Sequence, residues 1–248
     1  MARAGASSAR IEVFDELDST NAEARRRAEA GEAGPLWITA TRQMAGRGRQ
    51  GRAWETGEGN LAATLLFATA KSPAQASQVS FVAALAVADL ASAFVPPALV
   101  ALKWPNDTLI AGSKAAGILV ESGAARRPHE LWVAVGIGVN LARAPVAADR
   151  PATSFALHMQ APPPAPKDAL VVLVGAFDRW LGLWERAGFP PIAAAWTERA
   201  HGLGEPCLAR LAAETIEGVA EGLDPDGALR VRTADGQIRR ITAGDVFF

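Results

Sequence analysis

Apolar positions along the chain fall into short β-like runs and longer helical ones. Ile11 to Glu16 alternates as a strand does, and Asp18-Ser19-Thr20-Asn21 offers side chains that cap a helix, predicted from Asn21 to Ala30 and stopped by Gly31. Leu36 to Thr41 and Leu61 to Phe67 are apolar and β-branched, and the stretch between them is rich in glycine, so strand, long loop, strand is expected. From Gln75 to Phe94 alanine and larger apolar residues recur at helical spacing, which predicts one core-packed helix ending before Pro96-Pro97.

Three further strands are predicted at Leu99 to Lys103, Ala115 to Glu121 and Leu131 to Val139, joined by loops carrying Pro105, Asn106, Asp107 and Gly112. The proline-rich run at 162 to 166 marks a connection, followed by helices over Lys167 to Glu185 and Pro191 to Arg199. Beyond Pro206 the texture changes to short β-like runs separated by Asp224-Pro225-Asp226-Gly227 and Ala234-Asp235-Gly236, both good turn sequences. The expectation is a main domain over residues 1–202 and a small β-barrel-like domain over 203–248, after an opening stretch that frays.

Composition narrows the function. With 248 residues, half of them apolar, and a formal net charge of -1, the chain can bury a substantial core but has no general basic face for nucleic acid. A single cysteine, Cys207, allows neither an internal disulfide nor a cysteine-built zinc site, and fits a reducing cytoplasmic setting. No signal peptide and no membrane span is expected, because the apolar stretch from Val79 to Val95 is broken by Ser80, Asp89 and Ser92. Too few residues precede the first strand for a helix-turn-helix, so DNA binding is not expected.

Against that neutral background, Gln43-Met44-Ala45-Gly46-Arg47-Gly48-Arg49-Gln50-Gly51-Arg52 stands out. Glycines let the backbone approach a ligand, and guanidiniums suit phosphate or carboxylate, although a solvated RNA-binding loop has the same composition. It is neither a Walker A loop nor a dinucleotide fingerprint. Lys103-Trp104-Pro105-Asn106-Asp107 places a cation, an aromatic, an amide and a carboxylate at one strand exit, where turn chemistry alone would also explain it. A lysine, Lys114, leads into one strand and Asn140 closes another.

Taken in order, DSTN at 18 to 21, GRGRQGR at 46 to 52, KWPND at 103 to 107, KAAGILVE at 114 to 121 and GIGVN at 136 to 140 resemble the biotin protein ligases. The resemblance implies an α+β fold, a mixed sheet flanked by helices in the manner of class II synthetases, with a small C-terminal SH3-like β-barrel. It also implies an activity in which biotin is activated by ATP and Mg2+ to biotinyl-5′-AMP and passed to a lysine of a biotin carboxyl carrier protein. By the same resemblance Lys114, Arg47 and Arg49 are catalytic. Ser19, Thr20, Asn21, Gln43, Gly46, Gly48 and Gly117 join them around biotin, while Arg52, Trp54, Lys103, Asn106, Asp107 and Asn140 serve the nucleotide, with Asp107 the candidate for metal. Trp54 would stack on adenine and Asn140 would bond its edge. A homodimer through an exposed strand edge is expected, with lipoate ligation and noncatalytic binding as the competing activities.

Overall fold

The computed structural model describes residues 9–145 and 151–248; the opening residues 1–8, expected to fray, lie outside them. In chain order the elements are β1 (Arg10–Leu17), α1 (Thr20–Glu29), β2 (Leu36–Gln43), β3 (Leu61–Thr69), α2 (Pro73–Ser77), α3 (Val79–Ser92), β4 (Val100–Lys103), β5 (Asp107–Ile110), β6 (Ser113–Ala124) and β7 (Leu131–Val139). Then follow α4 (Pro166–Ala187), α5 (Pro190–Thr197), β8 (Pro206–Arg210), β9 (Thr215–Leu223), β10 (Leu229–Arg232), β11 (Ile238–Ile241) and β12 (Asp245–Phe247).

The first sheet has seven strands in the order β1-β2-β3-β7-β6-β5-β4. β1 and β2 are parallel because α1 carries the chain back between them, and every other neighbouring pair is antiparallel. The second sheet is antiparallel throughout, in the order β11-β10-β9-β8-β12. This is the expected α+β architecture, a mixed sheet with helices on its faces followed by a small β unit.

Strand alternation decides which residues face which helix. On β3, Leu61, Ala63, Leu65 and Phe67 join the main core beneath α3, whereas Leu66 joins a smaller cluster beneath α1 with Ala24, Ala28, Leu36, Ile38, Trp132 and Ala134. On β7, Val133, Val135, Ile137 and Val139 point to the α3 side, which leaves Gly136 and Gly138 on the α1 side. α3 is apolar on most of its surface, Ser80, Asp89 and Ser92 excepted, and is buried accordingly, between the sheet and α4. The stretch Pro73–Ser92 is long and apolar enough to span a membrane, but 72% of its apolar window is buried inside the fold. The main core runs on without interruption into the second sheet through Cys207, Ala209, Ile216 and Val246.

Two expectations about elements need correction. The helix predicted over Gln75 to Phe94 is two, because the chain tightens at Gln78: the Gln78 and Phe81 amides reach back only three residues, and the Ser77 and Ser80 hydroxyls bond backbone carbonyls of the preceding turn. Gln78 also accepts from the Trp184 indole at 3.1 Å, an anchor that fixes the break. The expected loop holds for Pro105 and Asn106, which lie in a tight turn, but Asp107 already begins strand β5. β5 and β6 are joined by a tight turn with both Ala111 (φ 49°) and Gly112 (φ 77°) left-handed, a geometry that twisted hairpins favour.

Candidate functional site

The site opens on the α1 side of the first sheet, where small residues leave a trough. Ala62 on β3 lies beside Gly138 on β7, which lies beside Gly117 on β6, so three neighbouring strands present almost no side chain in one row. One row along, Thr64 stands opposite Gly136, and Gly136 opposite Leu119. The resulting cavity encloses about 840 Å³, its open mouth included.

One end of the cavity is polar and uncharged. Ser19 caps α1 by accepting from the Ala22 amide, which sets Thr20 and Asn21 in the first helical turn with their side chains over the sheet. The Gln43 Oε1 accepts the Thr20 amide at 2.8 Å, and its Nε2 donates to the Thr56 hydroxyl at 2.9 Å. Asn21 reaches across β7, donating to the Leu119 carbonyl at 3.2 Å and to the Glu121 carboxylate at 2.8 Å. Just before the cap, two hydrogen bonds from Arg26 to the Asp18 carboxylate, joined by one from the Ser19 amide, hold that carboxyl down at about 2.

The other end is cationic. The glycine-arginine loop folds back on itself, Arg47 pairing with Ala53, the Gly48 amide donating to the Arg52 carbonyl at 2.7 Å and the Trp54 amide to the Gly46 carbonyl at 2.8 Å. Three elements pin it from outside. Arg47 meets Glu121 of β6 at 3.1 Å; Arg49 donates to Asn106 at 3.0 Å and to the Gly244 carbonyl at 3.3 Å; and Arg52 pairs with Asp245 of β12. Lys114 faces Asp107 at 2.5 Å, an ion pair whose angles fall short of a hydrogen bond. That arrangement follows from the hairpin, because β5 and β6 run side by side and carry the two residues on adjacent strands.

Between the two ends lies Trp54, its indole laid across the glycine row. A Cβ on Gly138 would come within 2.2 Å of the indole and one on Gly117 within 3.0 Å, so the two glycines form the floor of its slot. Lys114 Nζ stands 5.7 Å from the indole centroid.

The fold therefore gathers nearly all the sequence-predicted site residues around one cavity: Ser19, Thr20, Asn21 and Gln43 at one end, the loop arginines, Asn106, Asp107 and Lys114 at the other. Three stand apart from its walls. Lys103 leans towards the rings of Phe247 and Phe248, with centroids 5.9 and 5.8 Å away. Gly46 packs behind the loop against Gln43 and the Trp54 carbonyl. Asn140, buried at the end of β7, donates to the Thr153 carbonyl at 3.0 Å, and its Oδ1 has no hydrogen-bond partner among the described residues. Sequence reasoning passed over Thr64 and Asp245, and quoted Glu121 and Gly138 within motifs without giving either a role. A lone threonine in the otherwise apolar run Leu61 to Phe67 was the one available signal for Thr64; nothing local marks Asp245.

The same chain matches two family models, one in each part of the fold. Residues 13–140 match the biotin/lipoate A/B protein ligase family, and residues 202–248 match the biotin protein ligase C-terminal domain. A "Biotin--[acetyl-CoA-carboxylase] ligase" of Paracoccus denitrificans is 45% identical, over 93% of this chain and 97% of its own length. The chain belongs to the biotin protein ligases. A member from Mycobacterium tuberculosis with the same descriptive name is 32% identical over 98% of this chain and 90% of its own. The bifunctional ligase/repressor of Bacillus subtilis is 30% identical over 94% of this chain and 72% of its own length. Among solved structures, the biotin protein ligase of Aquifex aeolicus in complex with biotin and ATP superposes with a TM-score of 0.77 at 25% identity, covering 96% of this chain and 97% of that one.

Proposed function

We propose that this protein joins biotin to a lysine of a biotin carboxyl carrier protein, using ATP and passing through biotinyl-5′-AMP. The observation that carries the reading is the division of one cavity into a neutral hydrogen-bonding end and a cationic end, with an aromatic between them. A cyclic urea has both N–H donors and a carbonyl acceptor, which the hydroxyls and amides of Ser19, Thr20 and Gln43 can satisfy. A dithiolane ring has no donor to offer them, so lipoate fits this end poorly.

In the first half-reaction a biotin carboxylate oxygen attacks the α-phosphorus of ATP and pyrophosphate leaves. In the second, the carrier lysine's amine attacks the acyl carbon, AMP leaves, and the amine gives up its proton. The first step brings two anions together, so it depends on cations held in place beforehand. In this reading Lys114 serves both the biotin carboxylate and the α-phosphate, and Arg47 and Arg49 cover the adenylate; what supports it is that all three line the cationic end of the cavity, with Arg52 tying the loop to β12. Trp54 offers its face to adenine, and the Asn140 Oδ1, buried without a partner among the described residues, suits an amino-group donor.

Magnesium fits the residues present in a limited way. Among the described residues no three His, Cys, Asp or Glu side chains cluster as a ready-made cage. Asp107 supplies one carboxylate beside the phosphate end, which suits an ion held mainly by phosphates and water. When bound, the ion neutralises charge on the leaving pyrophosphate. Closing the loop from Arg47 to Trp54 over the mixed anhydride keeps water from it until the carrier arrives.

The same reading divides the chain at residue 202, and it leaves a place for self-association. Among the described residues β6 has no strand partner on its β5 side beyond Gly117, so residues 119–124 offer an edge to a second copy.

The test is pyrophosphate release from ATP and magnesium with biotin, with lipoate and with neither, followed by mass spectrometry of an added biotin carrier domain. Release that requires biotin, with one biotin added to a carrier lysine, is the expected result. Release with lipoate alone would overturn it, as would carrier binding without pyrophosphate.

A further inference from the structure

Thr64 belongs to no motif and does not line the cavity, yet it sits under the polar end with 0% of its surface exposed. Its hydroxyl oxygen is 2.7 Å from Asn21 Oδ1 and 2.8 Å from Thr20 Oγ1. A hydroxyl has a single proton, so these two contacts cannot both be donated by Thr64.

The surroundings decide which way each proton points. Asn21 Nδ2 lies between the Leu119 carbonyl at 3.2 Å and the Glu121 carboxylate at 2.8 Å, two groups that only accept. Turning the amide over would set an oxygen against both, so Oδ1 must face Thr64, and it too can only accept. Thr64 therefore spends its proton on Asn21. The remaining contact, 2.8 Å between two hydroxyl oxygens, then needs the proton of Thr20. The alternative acceptor for that proton, Gln43 Oε1, is further off at 3.2 Å and already takes the Thr20 amide.

We propose that Thr64 is a positioning residue that turns the Thr20 hydroxyl into a fixed acceptor, its proton drawn inward and its free lone pair presented to the cavity. Donor direction is thus set along a chain that begins at Glu121 and runs through Asn21, Thr64 and Thr20. A ligand meets an oxygen that asks for an N–H and gives no proton in return. The cyclic urea of biotin has such a donor; ring sulfurs and methylenes do not. Glu121 also holds Arg47 at 3.1 Å, so one carboxylate orients the polar end and anchors the loop over the other. This inference rests on the biotin reading of the cavity.

The experiment compares wild type, Thr64→Val, Thr64→Ser, Thr20→Val and the Thr64→Val/Thr20→Val pair by pyrophosphate release, with KM for biotin and for ATP, kcat and Tm measured for each. Biotin-dependent release by the wild type comes first, and its absence overturns the reading of the cavity itself. Given that release, Thr64→Val is expected to raise the KM for biotin about tenfold, the effect of misaligning one buried hydrogen bond, with the KM for ATP unchanged. Thr64→Ser restores the wild-type value, and Thr64→Val adds little once Thr20 is already valine. Should Thr64→Val fail to fold, Thr64→Ala set against Thr64→Ser gives the same comparison. A biotin KM that does not move, one that moves equally with that for ATP, or a full additive effect in the double variant overturns the proposal.

Discussion

Gly138→Ala isolates one feature of the site. Gly138 lies in the middle of strand pairing, between β3 and β6, and its backbone is ordinary strand, so alanine adds no backbone strain there. The three atoms nearest the added methyl all belong to Trp54. Its Cβ would stand 2.2 Å from indole Cε2, 2.4 Å from Nε1 and 2.5 Å from Cζ2, where ordinary contact begins at 3.4 Å. Three ring atoms are involved, so a rotation cannot relieve the clash, and the indole must lift off the sheet by more than 1 Å. Stacking of a base on an aromatic ring is worth about 1 to 3 kcal/mol, so a displaced indole should raise the KM for ATP by roughly five- to hundredfold. The KM for biotin should move less, because Thr20 and Gln43 lie at the other end. Gly117→Ala supplies the graded control: its Cβ meets one ring atom at 3.0 Å and the mobile end of Lys114 at 3.3 Å, so its effect should be the smaller. Steady-state pyrophosphate release at varied ATP, with a thermal melt to establish folding, measures both. A folded Gly138→Ala protein whose KM for ATP matches wild type would refute the stacking role given to Trp54 or the slot that holds it.

Lys114→Ala should reduce adenylate formation by about a hundredfold or more while leaving Tm within a few degrees, since the half-buried lysine is asked to stabilise charge that develops only during reaction; near-normal pyrophosphate release by the folded variant would remove that role. Asp18→Asn tests the anchor beside the polar end. The Asp18 carboxyl titrates at about 2 in the fold against its ordinary 3.8, so its contribution is present above 3.8 and is lost as pH falls towards 2. With the side chain 49% exposed, solvent limits that contribution to about 1 kcal/mol or less, a fall in Tm of at most roughly 2 to 4 °C at neutral pH and a much smaller one near pH 2. An equal Tm difference at both pH values would contradict the assignment.

Strands and helices with an unbroken apolar face were legible in the sequence. The run from Leu131 to Val139 forms β7 with those same ends, and the capping residues at 18 to 21 start α1 within one residue of expectation. What escaped was set by turns and tertiary anchors. β5 is four residues long and is followed by Ala111 at φ 49°, a residue type that gives no warning of a left-handed turn. The break at Gln78 depends on an indole more than a hundred residues away. At the site, motifs identified the residues that carry charge and those that touch a loop. They could not show that Lys103 turns towards Phe247 and Phe248, or that Asn140 closes on Thr153, because side-chain direction at a strand end depends on what the next element brings. Thr64 was readable in principle: alternation along β3 puts every second residue on the α1 side, and a hydroxyl there must find a partner.

The loop's attachment to β12 has a consequence for how the site comes into being. Arg49 and Gly244 are 195 residues apart in sequence, and Arg52 and Asp245 are 193 apart. Closing so long a separation is costly in chain entropy, and contacts of this kind form only after the elements between them have docked. The pocket's polar end, and the Arg47–Glu121 and Lys114–Asp107 pairs at its cationic end, are built from the first sheet and its loops, whereas the Arg49–Gly244 and Arg52–Asp245 contacts need the second sheet. The outer anchor of the loop therefore carries the larger share of the chain-entropy cost of building the site, and it depends on the second sheet being docked.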